Sequence, residues 1–297
     1  MMLSGLMIGS IVVPANASEL NKSVVQAQED NSLNWYVNNN TYKELIKGKS
    51  YDDNAVVSER YLKITPKVSE DEVDNVKSLN DVESVEEISK EQLEKEVKVQ
   101  KMNEAKNLLS RNLLARSSSW ESDSSLSPSY VTLRVQVDKW TSDNKYDVTA
   151  SWFWNTHPGK NSNGYIGSDV VSCAVGDGAI YLSGTAFAIW ENDIWVNGQR
   201  QPTGGTMSPI TFTDGAAVDT DMYHHGGTVN ERGMLMFSFA RNNYSCFQTN
   251  VVMQYQDQVK RFSGNVTISS TGKGKISISP SEKYLSLTPN PSVVVRF

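Results

Sequence analysis

The chain is 297 residues long, 38% hydrophobic, with a net charge of −6 and a mean hydropathy of −0.43. That acidic balance leaves no electrostatic footprint for nucleic acid, which is excluded as a partner, and none for an anionic membrane surface. The hydrophobic content is below that of a wholly globular chain, so core-forming residues are expected to be concentrated in part of the sequence.

Leu3 to Val13 is a short apolar run followed by Pro14-Ala15-Asn16-Ala17 and polar Ser18-Glu19. Small residues at 15 and 17 fit the cleavage site of a secretory signal of bacterial type, cut after Ala17. The run is too short to span a bilayer, which takes about 20 residues. The basic start usual in such signals is missing, which points to an initiator upstream of Met1. No cysteine follows the run to carry a lipid. The expectation is a secreted, extracellular, soluble protein.

Residues 18–83 show no sustained period and are expected to be irregular or weakly structured, with Asn38-Asn39-Asn40 and Asp52-Asp53-Asn54 as loops. Residues 84–116 are expected to form an amphipathic helix. Ser84-Val85-Glu86-Glu87 has the form of a capping box, and Leu93, Val97, Met102, Ala105, Leu109 and Leu113 follow as an apolar stripe. Eight of the thirteen residues from Ser117 to Ser129 are serine, the composition of a linker open to proteases. The region 18–116 is thus a candidate pro-region or a permanent tether.

From Tyr130 onward the pattern changes to period two. Val131, Leu133, Val135 and Val137 alternate with polar residues, as do Val148, Ala150, Trp152 and Trp154. Asn197-Gly198 after Ile194-Trp195-Val196 is a hairpin signal, since both central positions of that turn need positive φ. About a dozen short strands with turns between them, and no helical pattern, predict an antiparallel β-sandwich over residues 130–297. The fold expected is therefore mainly β, a sandwich preceded by a charged, partly helical N-terminal region. Trp152, Trp154 and Trp190 are the expected core tryptophans. Cys173 and Cys246 are expected to form a disulfide, because export removes the reducing pool.

Catalytic signatures are sparse. The sequence has no G-x-S-x-G, no H-E-x-x-H, and no phosphate- or dinucleotide-binding glycine loop, so no cofactor is implied. Asp219, Asp221 and His225 share strand parity and are the one candidate metal or hydrolase constellation. Trp140 and Trp195 stand next to turns, where aromatic rings can stack on sugars or anchor a protein partner. Residues 264–279 form an amphipathic hairpin pattern of the kind β-pore formers insert. The reading favoured by this sequence is a secreted, non-catalytic β-sandwich module binding an extracellular carbohydrate or protein. The alternatives are a membrane-active protein and an extracellular hydrolase centred on Asp219, Asp221 and His225.

Overall fold

A computed structural model describes residues 35–66, 82–114, 128–156, 168–196, 199–221, 231–258, 267–272, 275–279 and 284–297. These form two compact units, one ending at Leu45 and one beginning at Ile46. In the first, a 3-10 turn, Trp35–Asn38, leads into helix α1, Asn40–Ile46. Asn39 caps this helix, its Oδ1 accepting from the Thr41 N–H at 2.9 Å. The three asparagines read from sequence as a loop are thus a turn, a cap and a first helical residue. Tyr36 packs edge-on against both Trp35 and Tyr42.

The second unit is an antiparallel sandwich. Its strands are β1 (Val56–Pro66), β2 (Val82–Ile88), β3 (Ser129–Lys139), β4 (Lys145–Thr156), β5 (Ser168–Val175), β6 (Ala179–Tyr181), β7 (Phe187–Val196) and β8 (Gln199–Met207). They continue as β9 (Ile210–Phe212), β10 (Gly215–Asp221), β11 (Glu231–Arg241), β12 (Gln248–Gln258), β13 (Thr267–Gly272), β14 (Lys275–Ser279), β15 (Tyr284–Ser286) and β16 (Ser292–Arg296). Helix α2, Lys90–Leu114, lies between β2 and β3 in sequence. One sheet runs β2-β1-β3-β4-β11-β7-β8, with β6 also on β11. The other runs β15-β12-β5-β10-β9, with β16 on β12.

The core lies where the period-two pattern puts it. Val131, Leu133, Val135 and Val137 of β3 and Val148, Ala150, Trp152 and Trp154 of β4 meet Val171, Cys173 and Val175 of β5 and Val251, Met253 and Tyr255 of β12. Trp152 and Trp154 are fully buried, whereas Trp190 is half-buried. The Trp154 Nε1–H donates to the Tyr255 hydroxyl at 3.0 Å, which donates in turn to Asp169 at 2.6 Å, tying the two sheets through the core. Gly233 opposes Trp152 in the β4–β11 register, and a side chain there would collide with the indole. The opposite face of β4 is buried as well, at Asp147, Thr149, Ser151 and Phe153, so this strand is not the half-buried one its alternation suggested.

The N-terminal region departs most from expectation. Residues 56–66, expected to be irregular, pair along nine positions with β3, and Leu62 and Ile64 enter the main core. The pattern was masked because the outward face of β1 carries Glu59, Tyr61 and Lys63 and the inward face carries Arg60 among its apolar residues. Ser84 to Glu87 form part of β2 rather than a helix start. The helix begins later, capped by Ser89, whose Oγ accepts from the Gln92 N–H at 3.1 Å. Leu93 and Val97 of α2 pack with Ile88, Tyr61 and Tyr130, but Met102 is 50% exposed. Ala105, Leu109 and Leu113, the rest of the stripe, have side chains outside the described residues.

The expected Cys173–Cys246 disulfide is absent, and both thiols are free. Cys173 pairs in register with Met253 in the sheet core, while Cys246 precedes the start of β12 at Gln248. The five residues from Met253 back to Gln248 span about 16 Å along the strand, against the 4.4–6.8 Å Cα separation that a bridge needs.

Candidate functional site

The sequence-derived site residues do not converge. Trp140 is half-buried behind β3, in an isolated bridge with Tyr51. Its ring is already occupied: the Lys49 and Lys145 ammonium groups lie 4.8 and 5.2 Å from the centroid. Lys49 also pairs at 2.8 Å with the buried Asp147 carboxylate, which accepts from Tyr51 at 2.5 Å and Ser238 at 2.6 Å. The Trp140 surroundings therefore lock the Ser50–Tyr51 segment onto the sheet. Trp195 lies in β7 with its side chain outside the described residues. Asp219 is exposed on β10, and Asp221 ends that strand with its side chain outside the described residues, as is all of His225. Among the described residues, no group of three His, Cys, Asp or Glu side chains is placed to hold a metal ion.

Within the 264–279 segment β13 and β14 pair antiparallel, residues 264–266 and 273–274 lying outside the described residues. Ile268 and Ile278 pack against Val170, Ala217 and Phe212, so its apolar face is fixed to the outside of the smaller sheet.

A different arrangement stands out at the end of the sandwich where β11 hands over to β12. The connection 242–247 is a tight polar loop carrying two aromatic residues, Tyr244 and Phe247, each 78% exposed. These are the most exposed large hydrophobic side chains among the described residues. The loop is shaped by Asn243, whose Oδ1 accepts from the Ser245 N–H at 2.9 Å, an Asx-type turn. Arg241, at the end of β11, fixes it further. Its Nε and Nη2 donate to the Asn243 and Tyr244 carbonyls at 3.2 and 2.5 Å. The guanidinium thereby sits amid three rings, 5.1 Å from Tyr244, 5.9 Å from Phe247 and 5.3 Å from Phe297. Phe297 is held by its N–H to the Phe247 carbonyl at 3.0 Å, extending the β12–β16 ladder.

Beside this rim a cleft of about 630 Å³ opens between the start of β1 and β16. Asn54, Val56, Gln248, Val294 and Arg296 line it, together with the Asp52–Lys139 pair. Tyr146 connects the two features: it lines the cleft, stacks on Phe239 and meets Phe297 edge-on at 5.8 Å. Burial pushes the Tyr146 phenol up, with the Asp52 charge adding to the effect and Arg241 opposing it. The phenol stays neutral at physiological pH, so the site offers a neutral tyrosine, flat apolar faces, amides and guanidinium groups. Such a set can stack on flat ring faces and exchange hydrogen bonds with polar groups.

The rim is hard to see in the sequence because its aromatic residues are a tyrosine and two phenylalanines that come from separate segments, 244–247 and the residue after β16. The available signal was Arg241-Asn242-Asn243-Tyr244-Ser245: turn-forming residues that break the alternation with an aromatic in their midst.

No protein-family model matches the chain, and no curated protein is similar to it. Among solved structures it is similar to the collagen binding domain of the Erysipelothrix rhusiopathiae surface protein RspB, at 8% identity over 57% of this chain and 65% of that one, with a TM-score of 0.24. It is also similar to the T6 backbone pilin of Streptococcus pyogenes, at 7% identity over 82% of this chain and 64% of that one, TM-score 0.33. A third is the structure reported for Streptococcus parasanguinis adhesion by Fap1 fimbriae, at 9% identity over 56% and 79%, TM-score 0.26. The chain thus spans just under two thirds of the length of the first two. Among the described residues no helix is long and apolar enough to cross a membrane.

Proposed function

We propose that this protein is an extracellular, non-catalytic binding module that takes its ligand at the Tyr244–Phe247–Arg241 rim. The observation that carries the reading is the exposure of two aromatic rings on a loop held rigid by an arginine. Exposing them to water is unfavourable, and a surface of this kind is where binding hot spots concentrate. The loop's fixed geometry lowers the ordering cost of association. The signal-like segment ending at Ala17 supports the extracellular setting.

The test is a binding screen of the purified chain, by biolayer interferometry, against immobilised matrix proteins (collagen, fibrinogen, fibronectin) and cell-surface polysaccharides. Wild type is compared with Tyr244→Ala/Phe247→Ala. The expected result is saturable binding to at least one of these, weakened at least tenfold in the double variant at unchanged melting temperature. Binding that the double variant retains in full, or a blank across the screen, overturns the reading.

A further inference from the structure

Resting on that reading of the rim, we infer that the ligand is a carboxylate-bearing polysaccharide, a uronate polymer, with its acid group on Arg241 and a second on Arg296. The argument begins with how the sandwich uses its arginines. Among those whose side chains are described, Arg60 pairs with Glu87, Arg134 with Glu59 and Arg232 with Glu191. Arg241 and Arg296 make no ion pair among the described residues. In a chain whose acidic groups outnumber its basic ones, 34 to 28, two arginines at one end of the fold outside any described ion pair, with the nearby Asp52 carboxylate taken by Lys139, mark a place kept for an external anion.

Arg241 is prepared for that role. Two of its donors are spent on the Asn243 and Tyr244 carbonyls, and three rings surround it. Three donors remain, two on Nη1 and one on Nη2, in a group whose planar fork matches a carboxylate. Arg296 projects from the outward face of β16, level with Gln248 in the β12–β16 register, and both line the cleft. The distance between the two sites is bridged by the Phe247–Phe297 pair of the same ladder.

The rest of the surface decides which anion. The exposed Tyr244 and Phe247 rings offer flat faces for the C–H side of pyranose rings. Around them stand exposed Asn242, Asn243, Ser245 and Gln248, groups that exchange hydrogen bonds with hydroxyls. A protein partner of standard size would bury about 800 Å² on this side around an apolar centre, and two rings set among amides do not supply one. A polymer that alternates hydroxyls, apolar ring faces and carboxylates matches all three features.

The experiment uses the full chain and isothermal titration with hyaluronan and oligogalacturonate decasaccharides, each compared with its carboxyl-reduced, neutral counterpart. The expected result is binding of at least one acidic oligosaccharide, at least tenfold weaker after carboxyl reduction and at least tenfold weaker in Arg241→Gln. Arg296→Gln is expected to lose about threefold or more, and Lys98→Gln on exposed α2 nothing. Thermal melts of each variant confirm folding. Equal binding of acidic and reduced forms, binding indifferent to Arg241, or no binding of either oligosaccharide overturns the inference. Where the oligosaccharides fail but a protein of the screen above still depends on Tyr244 and Phe247, the ligand class is wrong and the rim stands. Where nothing depends on those rings, both fall.

Discussion

Replacing Leu62 by alanine asks whether the charged N-terminal region belongs to the sandwich. Leu62 is fully buried, pairs in register with Val131 of β3 and belongs to the same cluster as Trp152 and Trp154. The substitution removes three carbons, about 2.4 kcal/mol of transfer free energy at about 0.8 kcal/mol each. The cavity left behind adds roughly 1 kcal/mol, for a total near 3 kcal/mol, inside the range seen for buried leucines. In a domain of this size that lowers the melting temperature by about 6–12 °C. The assay is urea unfolding followed by tryptophan fluorescence, which reports on the core indoles, in parallel with far-ultraviolet circular dichroism. Both probes should move together, to a lower midpoint with an unchanged slope. A loss under about 0.5 kcal/mol, or a separate transition that leaves the tryptophan signal in place, would refute the assignment of β1 to the core and revive residues 18–116 as a detachable pro-region.

Two further outcomes follow from the described contacts. Because burial pushes the Cys173 thiol up and leaves it without exposure, native protein should titrate one thiol per chain with a disulfide reagent, the half-exposed Cys246, and two in denaturant. A gain of two hydrogens in intact mass on reduction contradicts this. The Glu96 carboxyl is held down to about 2 by hydrogen bonds from Lys63, Tyr130 and Gln92. A depressed folded value means its contribution is present above the ordinary carboxylate range and lost as pH falls from about 4.5 through 2. The pair is partly solvated, 23% and 26% exposed, so about 1 kcal/mol is expected. Glu96→Gln should flatten the melting temperature in that window, and an unaltered acid profile counts against the α2 docking geometry.

The strands that face water on one side or interdigitate apolar residues were legible because their alternation is a direct consequence of the pleat: β3 and β4 are the cases, and the core tryptophans 152 and 154 came with them. What escaped was decided by partners distant in sequence. β1 reads as a charged stretch until Glu59 meets Arg134 and Lys63 meets Glu96, contacts that only the assembled sheet and helix supply. The Ser84 capping box is a sound local signal overridden by strand pairing, and the working cap, Ser89 with Gln92, repeats the same chemistry five residues later. The cysteines illustrate the limit of compartment reasoning: it bears on whether a bridge is chemically permitted, but register decides whether the sulfurs meet. At the rim, the separate residues were visible in the sequence, but the convergence of Arg241 on Tyr244, Phe247 and Phe297 joins a loop to the residue after β16, some 50 residues further on.

The central position of β5 has a consequence for how the molecule is made. Its two hydrogen-bonded neighbours are β10 and β12, so Val171 waits for Tyr255, more than 80 residues later, and β4 waits similarly for β11. Non-local pairing of this kind makes folding slow, because loop-closure entropy is spent before the contacts that repay it form. A chain emerging from its N terminus therefore stays open until residue 258 or beyond has been synthesised, and presents an extended strand-rich polymer to whatever machinery handles it first. The half-made molecule has the β2-β1-β3-β4 part of one sheet with its tryptophan face uncovered, and that intermediate is where aggregation competes with assembly.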